Sequence, residues 1–448
     1  MIPIVTPARM AEIDVAASGR IDELIDRAGR AVALAALEML GGTYGRRVVV
    51  LAGPGNNGAD GRLAAHHLER RGVRVLVVDA LAAPKQLPKA DLVIDAAFGN
   101  GLSRPYVAPS VEPGTPVLAV DLPSGVDGLT GERLGDPLSA DRTVTFVALK
   151  PGLVFEPGRT LAGGVTVVDI GLDAGAVAAH AVTDRDVAQL LVGRAAEDHK
   201  WRSGVRIVGG SPGMTGAASL AARAAQRCGA GIVQLAMPGG RGDEGPLESV
   251  GHPLPLDGWA IEAFSAVDDR LQALLVGPGL GEVDHAALKL AVEVQRPLVI
   301  DGDALQAELV PLLHSRRAPT VLTPHDGEWR RLAGADHVDR LAATQAFAID
   351  HGVTVVRKGP TTIVADGDGH TRVVTSGTAA LATAGTGDVL AGAIVAFLAR
   401  GNSALDSATV AAHLHGLAGA RLGPGLVASE VADLLPALAT ELRSAPTT

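Results

Sequence analysis

The sequence predicts an α/β protein of two domains, each built on a mostly parallel sheet. Three observations lead there. A chain of 448 residues is too long for one ordinary core. Short, continuous apolar runs alternate with helical patterns along the chain, as strands of a parallel sheet buried on both faces do. Two glycine-rich signatures of different type stand near opposite ends: GPGNNGADG at 53–61 and AGTGDVLAGAIVAFLARG at 384–401. Each sets an acidic side chain, Asp60 or Asp388, beside glycines that let a backbone approach a charged ligand. Two such signatures imply two active sites on one polypeptide.

Taken in order, residues 8–40 predict one or two amphipathic helices. RRVVVLAG (46–53), VRVLVVDA (73–80), DLVIDAAF (91–98) and TPVLAVDL (115–122) predict short buried strands, continued by TVTFVAL (143–149) and VTVVDIG (165–171). Between the first pair, RLAAHHLERRG predicts a helix ended by Gly72. Apolar periodicity then fades, which sets a boundary near 180 and expected domains at 1–180 and 181–448. Within the fade, DRDVAQLLVGRAAEDHK (184–200) predicts a solvated connecting helix. The second half repeats the grammar. VRIVGG (205–210), GIVQLAMP (231–238), ALLVGPG (273–279), PLVIDGD (297–303) and PTVLTPH (319–325) predict strand-then-loop units. TVVRKG (354–359) and TTIVAD (361–366) predict a hairpin at the sheet edge.

Composition narrows the function. With 47% hydrophobic and 20% charged residues, the chain is globular. A net charge of −10 argues against nucleic-acid and anionic-membrane partners, which need clustered basic residues. It leaves room for small anionic ligands held by backbone N–H groups. The single cysteine, Cys228, excludes an internal disulfide and a thiolate zinc cluster. The N-terminal MIPIVTPARMAEID has no apolar signal segment, so a cytoplasmic location is expected. A homo-oligomer is also expected. The longest apolar run, Val389 to Ala399, is too short to span a bilayer. His66-His67 and His413-Leu414-His415 lack the spacing that aims two ligands from one helix face, and read as solvent-exposed helical histidines.

GPGNNGADG reads as a loop between a strand and a helix, where doubly wound sheets bind ligands. DAAFGNGLSRP (95–105) and DLPSGVDGLTG (121–131) follow later strands and open at the same sheet edge, so Asn57, Asp95, Asp121 and Ser124 can converge. Taken singly, these are ordinary turn residues; three loops at one edge are a site. An oxygen-only cluster with two carboxylates suits a hard cation, and Asp121 could instead act as an acid or base. In the second half, Gly385 and Gly387 open a long apolar helix whose free N–H groups form an anion hole, with Asp388 at its mouth. A carboxylate there can deprotonate a hydroxyl as it attacks a phosphoryl group; otherwise it caps a helix.

GPGNNGADG, DAAFGNGL and DLPSGVDG, in this order, together with the helix LIDRAGRAVA (24–33), resemble the epimerase module of the NAD(P)H-hydrate repair enzymes. The resemblance implies a potassium ion on Asn57, Asp95 and Ser124. It implies contacts to the hydrated nicotinamide nucleotide from Asn56, Asn57, Gly58, Ala59, Asp60, Gly99, Asn100, Gly101, Leu102, Ser103, Arg104, Pro105 and Asp121, with Asp121 catalytic. Two residues depart from the family pattern. Ala59 replaces the usual glycine and is expected to crowd a tight loop, and Asn100 replaces the usual Thr or Ser.

GGSPGMTGAASLAARAAQRCGAG (209–231), VGPGLG (276–281), DGDAL (301–305), LTPHDGE (322–328), RKGPTTIVAD (357–366) and the GTGD signature are similar to the ADP/ATP-dependent NAD(P)H-hydrate dehydratases. This implies Ala217, Gly279, His325 and Asp388 around the hydrated coenzyme, and Lys358, Gly359, Pro360, Thr361, Thr362 and Gly387 around the adenine nucleotide. Asp388 becomes the catalytic base, with ADP or ATP as co-substrate and Mg²⁺ on its phosphates. Asp326 stands where the family more often has proline. The implied fold is an N-terminal Rossmann-like three-layer α/β/α domain and a C-terminal ribokinase-like α/β domain. The implied activity is epimerisation of the R and S hydrates at C6, then ADP-dependent dehydration of the S form to NAD(P)H, AMP and phosphate. The residues alone also allow a kinase of a vitamin-precursor alcohol, or a first half that only binds a ligand or a protein.

Overall fold

The computed structural model describes residues 1–445 apart from 194, 196, 266 and 336. Its contacts divide the chain into two compact units, Ile2–His180 and Ala181–Thr448.

The first unit runs β1 (Ile2–Ile4), α1 (Pro7–Ala16), α2 (Ile21–Leu40), β2 (Arg47–Ala52), α3 (Asn56–Glu69), β3 (Arg74–Asp79), β4 (Leu92–Ala96), β5 (Tyr106–Val107), β6 (Val117–Val120), β7 (Gly135–Asp136), β8 (Arg142–Phe146), α4 (Gly158–Ala162) and β9 (Gly164–Val168). Of the one or two helices expected over 8–40, there are two, α1 and α2. Thr6 caps α1 by accepting from the Arg9 N–H, and α2 ends where Gly41 turns left-handed at φ 64°. Six strands lie in the order β3-β2-β4-β6-β8-β9, all parallel. Their side chains alternate between two cores. Val48, Val50 and Ala52 pack with α2 and α3, while Val49 and Leu51 pack with Tyr106, Val117 and Ala140 on the other face. The order reverses around β2, between β3 and β4, and a doubly wound sheet opens a crevice at such a reversal. One expectation fails. VRVLVVDA is not a buried strand, because β3 lies at the sheet edge and exposes Leu76 and Val77.

After β10 (Ala179–Ala181) comes α5 (Asp184–Leu190), capped by Thr183. The helix expected over 184–200 therefore stops at Leu190; residues 194 and 196 lie outside the described residues.

The second unit continues through β11 (Gly204–Val208), α6 (Thr215–Arg227), β12 (Ile232–Pro238), β13 (Val250–Leu254), α7 (Trp259–Ser265), β14 (Leu271–Val276), α8 (His285–Glu293), β15 (Leu298–Ile300), β16 (Thr320–Leu322), α9 (Asp326–Ala333), α10 (Arg340–His351), β17 (Thr354–Arg357), β18 (Thr362–Ala365), β19 (Thr371–Val374), α11 (Thr386–Ala399), α12 (Ala404–Leu422) and α13 (Ala428–Ser444). Its strands lie in the order β19-β18-β17-β16-β15-β14-β11-β12-β13. They are parallel from β13 to β17 and antiparallel across β17-β18-β19. The predicted hairpin exists as β17-β18 but is not an edge, because β19 pairs beyond it. Here too alternation splits each strand between two cores: Leu275 and Val299 face α6, α11 and α12, while Leu274, Leu298 and Ile300 face α7 and α8. Helix α11 is buried nearly all round beyond its first turn. It passes so close to α6 that a Cβ on Gly392 would stand 2.1 Å from the Ala221 carbonyl oxygen.

Candidate functional sites

In the first unit the crevice lies at the carboxyl ends of β2, β4 and β6. The glycine signature there serves packing first. A Cβ on Gly53 would stand 1.8 Å from the Ala97 oxygen, one on Gly58 1.9 Å from the Gly53 oxygen, and one on Gly61 2.5 Å from the Ala96 Cβ. The signature is a loop only over 53–55, since α3 already begins at Asn56. Ala59 is therefore helical and not among the positive-φ residues, so the expected crowding of a tight loop is wrong. A methyl group there sits in the conformation alanine favours most.

Asp95, the next-to-last residue of β4, is buried. It accepts from the Ser124 N–H (2.8 Å), the Ser124 hydroxyl (2.6 Å) and the Ala97 N–H (3.3 Å). Burial nevertheless raises its pKa. Both amide atoms of Asn57 are shut off from solvent with no partner among the described residues. Gly99 separates Asn57 from Asp121: a Cβ there would lie 3.1 Å from Asp121 Oδ2 and 3.3 Å from Asn57 Cγ. Asp121 meets Lys150 Nζ at 2.5 Å, Thr145 Oγ1 at 3.1 Å and the Asn100 N–H at 3.3 Å. Lys150 is 1% exposed and also donates to Thr145 Oγ1 (2.8 Å) and the Phe146 oxygen (3.0 Å).

The chain turns sharply at both partners. Asp121 has φ 66° inside a three-residue turn closed by the Leu122 N–H on the Val120 oxygen. Val147 has φ 69° inside another, closed by the Ala148 N–H on the Phe146 oxygen. Left-handed backbone is tolerable for aspartate and strained for a β-branched valine.

These groups face a cavity of about 640 Å³, roofed by Met10 and Asp14 of α1 and by Ile21, Leu24 and Ile25 of α2. Asn56, Asn57, Asp60, Gly99 through Arg104 and Asp121 line it, whereas Gly58, Ala59 and Pro105 do not, and Asp95 and Ser124 lie buried outside its lining. Burial, then the charges of Asp121 and Asp14, push Asp60 up to about 8. Asp14 is raised by burial and then by Asp121. Sequence reasoning missed Asp14 and Lys150. The signal for Lys150 was a lone lysine in the apolar stretch FVALKPG.

In the second unit α11 opens at Gly385, left-handed at φ 89°, and Asp388 lies in its first turn. Burial, then the charge of Asp301, raise Asp388 to about 7 against the pull of Lys358. Lys358 Nζ meets Asp301 Oδ1 at 2.9 Å and Glu328 Oε2 at 3.6 Å. It would stand 3.5 Å from a Cβ on Gly387. Burial pulls its ammonium down, but Asp301 and Glu328 outweigh that and raise it. Ala217 and Gly279 touch: a Cβ on Gly279, left-handed at φ 65°, would lie 2.9 Å from that of Ala217. Asp303 accepts the Gly281 N–H nearby. His325 caps α9, its Nδ1 accepting from the Gly327 and Glu328 N–H groups. The Lys358 N–H donates to the Pro324 oxygen and ties the 358–362 loop to this cap. Gly359 lies against Thr361, which is buried, and Pro360 against Gly377, while Thr362 begins β18. Asp301, Asp303 and Glu328 sat in quoted motifs without a role.

Two histidines overturn the solvent-exposed reading. His413 and His415 are 4% and 8% exposed because α12 is buried on most of its circumference. His413 Nε2 lies 2.7 Å from Asp184 Oδ1, and His415 Nε2 lies 2.9 Å from the Thr386 oxygen at the start of α11. Burial lowers His415 to about 4, so it is neutral at pH 7. Cys228 is free and buried. Among the described residues no helix is long and apolar enough to cross a membrane.

Comparison with known proteins follows the same division. A family model described as NAD(P)H-hydrate dehydratase matches residues 205–435, and one described as YjeF-related protein N-terminus matches 21–89 and 78–152. Over 93% of its length the chain is 36% identical to a bifunctional NAD(P)H-hydrate repair enzyme of Salinibacter ruber, covering 92% of that protein. The chain belongs to the bifunctional NAD(P)H-hydrate repair enzymes. A family member from Moorella thermoacetica is 34% identical over 97% of the chain and 96% of its own length. An ADP/ATP-dependent NAD(P)H-hydrate dehydratase of Bacillus subtilis, co-crystallised with ATP and Mg²⁺, superposes with TM-score 0.53 and 28% identity, covering 59% of this chain and 99% of that one. A ribokinase-like superfamily protein of Enterococcus faecalis gives 0.51 and 25%, over 59% and 96%. The second unit therefore has the ribokinase-like fold.

Within this family background, Asp326 finds a local reason. It opens α9, where proline and acidic residues are both favoured, and it accepts from the buried Arg357 (3.2 Å) and from Arg340 (3.1 Å).

Proposed function

We propose that residues 1–180 interconvert the R and S forms of hydrated NADH and NADPH at C6 of the ring, and that residues 181–448 dehydrate the S form at the expense of ADP. Hydroxide is a poor leaving group. The C6 hydroxyl therefore attacks the terminal phosphoryl group of ADP, releasing AMP. The ring nitrogen lone pair then expels phosphate, and loss of the C5 proton completes NAD(P)H.

The observation that carries this reading is Asp388 in the first turn of α11, raised to about 7 and set near Lys358. Asp388 takes the C6 hydroxyl proton, as a base poised near the working pH does best. The N–H groups at 384–387 hold the growing phosphate charge, and Lys358 adds a fixed cation. Bound Mg²⁺ neutralises nucleotide phosphate charge. The carboxylates of Asp303 and Glu328, near enough to Asp388 to raise it, are the groups that would hold it.

In the first unit Lys150 protonates the C6 hydroxyl, the ring nitrogen expels water, and Asp121 deprotonates the water that returns on the other face. The unpartnered Asn57 amide oxygen, with the oxygens of Asp95 and Ser124, suits a potassium ion that would brace the loops around the substrate. Gly359 through Thr362 take the nucleotide, and Ala217, Gly279 and His325 the hydrated coenzyme. We further infer a cytoplasmic homo-oligomer.

The test is incubation of an R/S hydrate mixture with ADP. Return of the NADH absorbance band with stoichiometric AMP is expected. ATP-dependent phosphorylation of a thiamin or pyridoxal precursor, without that return, would favour the kinase reading instead.

A further inference from the structure

Between His413 and Gly419, α12 lies along the stretch of chain that leads into α11. Gly416 sits against Ser376, where a Cβ would stand 2.2 Å from the Ser376 Oγ. Gly419 sits against Leu381, where a Cβ would stand 2.5 Å from the Leu381 Cγ. Ser376 Oγ donates to the His413 oxygen at 3.0 Å. The ring of His415 extends from this seam to the Thr386 oxygen, which lies 2.9 Å from Nε2. A carbonyl oxygen only accepts, so Nε2 carries the proton and donates. Burial keeps the ring neutral at pH 7, which leaves Nδ1 without a proton.

The Thr386 oxygen belongs to the same peptide unit as the Gly387 N–H. That unit is planar and trans, so the two groups point opposite ways. Holding the carbonyl toward α12 therefore aims the N–H away from α12. Other N–H groups at this helix end are already spent. Thr386 donates to the Thr383 oxygen at 3.3 Å, and Val389 to the Gly385 oxygen at 3.1 Å. The Gly387 and Asp388 N–H groups have no partner among the described residues, as expected in a first helical turn. One of these two donors is thus on the peptide that His415 holds. Gly387 also stands beside the cation of the site, since a Cβ on it would lie 3.5 Å from Lys358 Nζ. A hydrogen bond on the carbonyl also polarises the peptide and makes its N–H a stronger donor.

We propose that His415 is a positioning residue for dehydration. Its Nε2–H holds the Thr386–Gly387 peptide so that the Gly387 N–H meets the phosphate charge that grows during the reaction. This rests on the reading of the second unit as an ADP-dependent dehydratase with its anion hole at the start of α11.

The test uses the full chain with three substitutions. His415→Leu removes the donor. His415→Gln places an amide N–H where Nε2 stood, and His415→Asn carries the same amide one carbon short. Circular dichroism and urea midpoints check that each variant is folded. Dehydration of pure S hydrate is followed by NADH absorbance over a range of ADP concentrations. His415→Leu should lower kcat by about 10- to 100-fold, less than the 10²- to 10³-fold typical of deleting such a donor outright. KM for ADP should stay within about three-fold, because the contact strengthens only in the transition state. His415→Gln should recover kcat to within about three-fold of wild type, and His415→Asn should not. A second readout follows the amide itself. With ¹³C at threonine carbonyls and ¹⁵N in glycine, only the peptides Thr130–Gly131, Thr215–Gly216 and Thr386–Gly387 give a correlated signal. The signal missing from Gly387→Ala identifies Gly387. Its amide proton should move upfield in His415→Leu and return in His415→Gln. A kcat within about two-fold of wild type in folded His415→Leu overturns the proposal. An unmoved Gly387 amide also overturns it. So does a loss of rate that His415→Gln fails to relieve, since His415 would then only fill space. If His415→Leu does not fold, equal rates in the Gln and Asn variants overturn the proposal. A wild type that makes no NADH from S hydrate and ADP would instead bring down the dehydratase reading itself.

Discussion

Replacing Asp388 by asparagine should stop dehydration and strengthen the fold, and both effects have one origin. Burial and the neighbouring carboxylates raise this group from 3.8 to about 7. A carboxyl raised by folding favours the fold while protonated. That contribution is fully present below about pH 4 and is lost as pH rises through about 7. Three units at about 1.4 kcal/mol each put the ceiling of the loss at about 4 kcal/mol at pH 8. Asparagine stays neutral and escapes it. The variant should therefore match wild-type stability at pH 4, gain on it steadily to pH 8, and gain no more above. Denaturant unfolding of the full chain at four pH values measures the difference. In parallel, dehydration of the pure S hydrate should fall by about 10² to 10⁴, with ADP binding within a few-fold. The wild-type rate should itself drop below about pH 7, as Asp388 takes up a proton and ceases to be a base. A stability offset that is flat across pH would refute the buried-charge argument, and near-normal turnover would reduce Asp388 to a helix cap.

Asp121→Ala should abolish epimerisation and leave dehydration of pure S hydrate untouched; complete, fast consumption of an R/S mixture by the variant would remove Asp121 from the mechanism. Lys150→Met should do the same, since it takes away the ammonium 2.5 Å from Asp121, and a normal epimerisation rate in the folded variant would show that the pair is only structural. Gly392→Ala should destabilise the second unit by about 1–3 kcal/mol, because its methyl meets the Ala221 oxygen; an unshifted urea midpoint would mean that α6 and α11 can move apart freely. A fragment 181–448 is expected to fold alone and to dehydrate the S hydrate with ADP; a folded fragment that binds ADP without activity would mean that the first unit completes the second site.

The parallel strands were legible because a strand buried on both faces reads as a mostly apolar run, as in β2; β4, β11 and β14 each keep that character around one polar residue, Asp95, Arg206 and Gln272. The strand β3 has the same composition but an edge position, and edge position depends on pairing order, which no local pattern carries. The same holds for the hairpin β17-β18, whose outer partner β19 lies beyond a turn. The histidines of α12 were misread because residue spacing reports a helix face, not whether a second layer of helices covers it. At the sites, the motif residues that follow strand ends were visible, since a parallel sheet gathers those ends at one edge. Asp14 and Lys150 reach the same cavity from a preceding helix and from beyond the end of β8, with no motif to mark them. The glycines of GPGNNGADG misled in a subtler way. They record how closely β2, β4 and α3 approach one another, and so Ala59, at a helical position, is a harmless change.

The sharp turns at Asp121 and Val147 tie robustness and reactivity together in opposition. Each turn bends the chain at the end of one of two neighbouring strands, and between them they present Asp121 and send the backbone on toward Lys150. A glycine at 147 would accept the same backbone without a Cβ penalty and release strain of about 1–3 kcal/mol, offset by about 1 kcal/mol of extra disorder in the unfolded chain. The residue that nature would choose for a sturdier turn is thus one that lets the segment leading to Lys150 wander. Selection for thermal endurance in this half should therefore find Val147 early and lose epimerisation as it does, whereas selection for turnover should keep a valine where a valine is least comfortable.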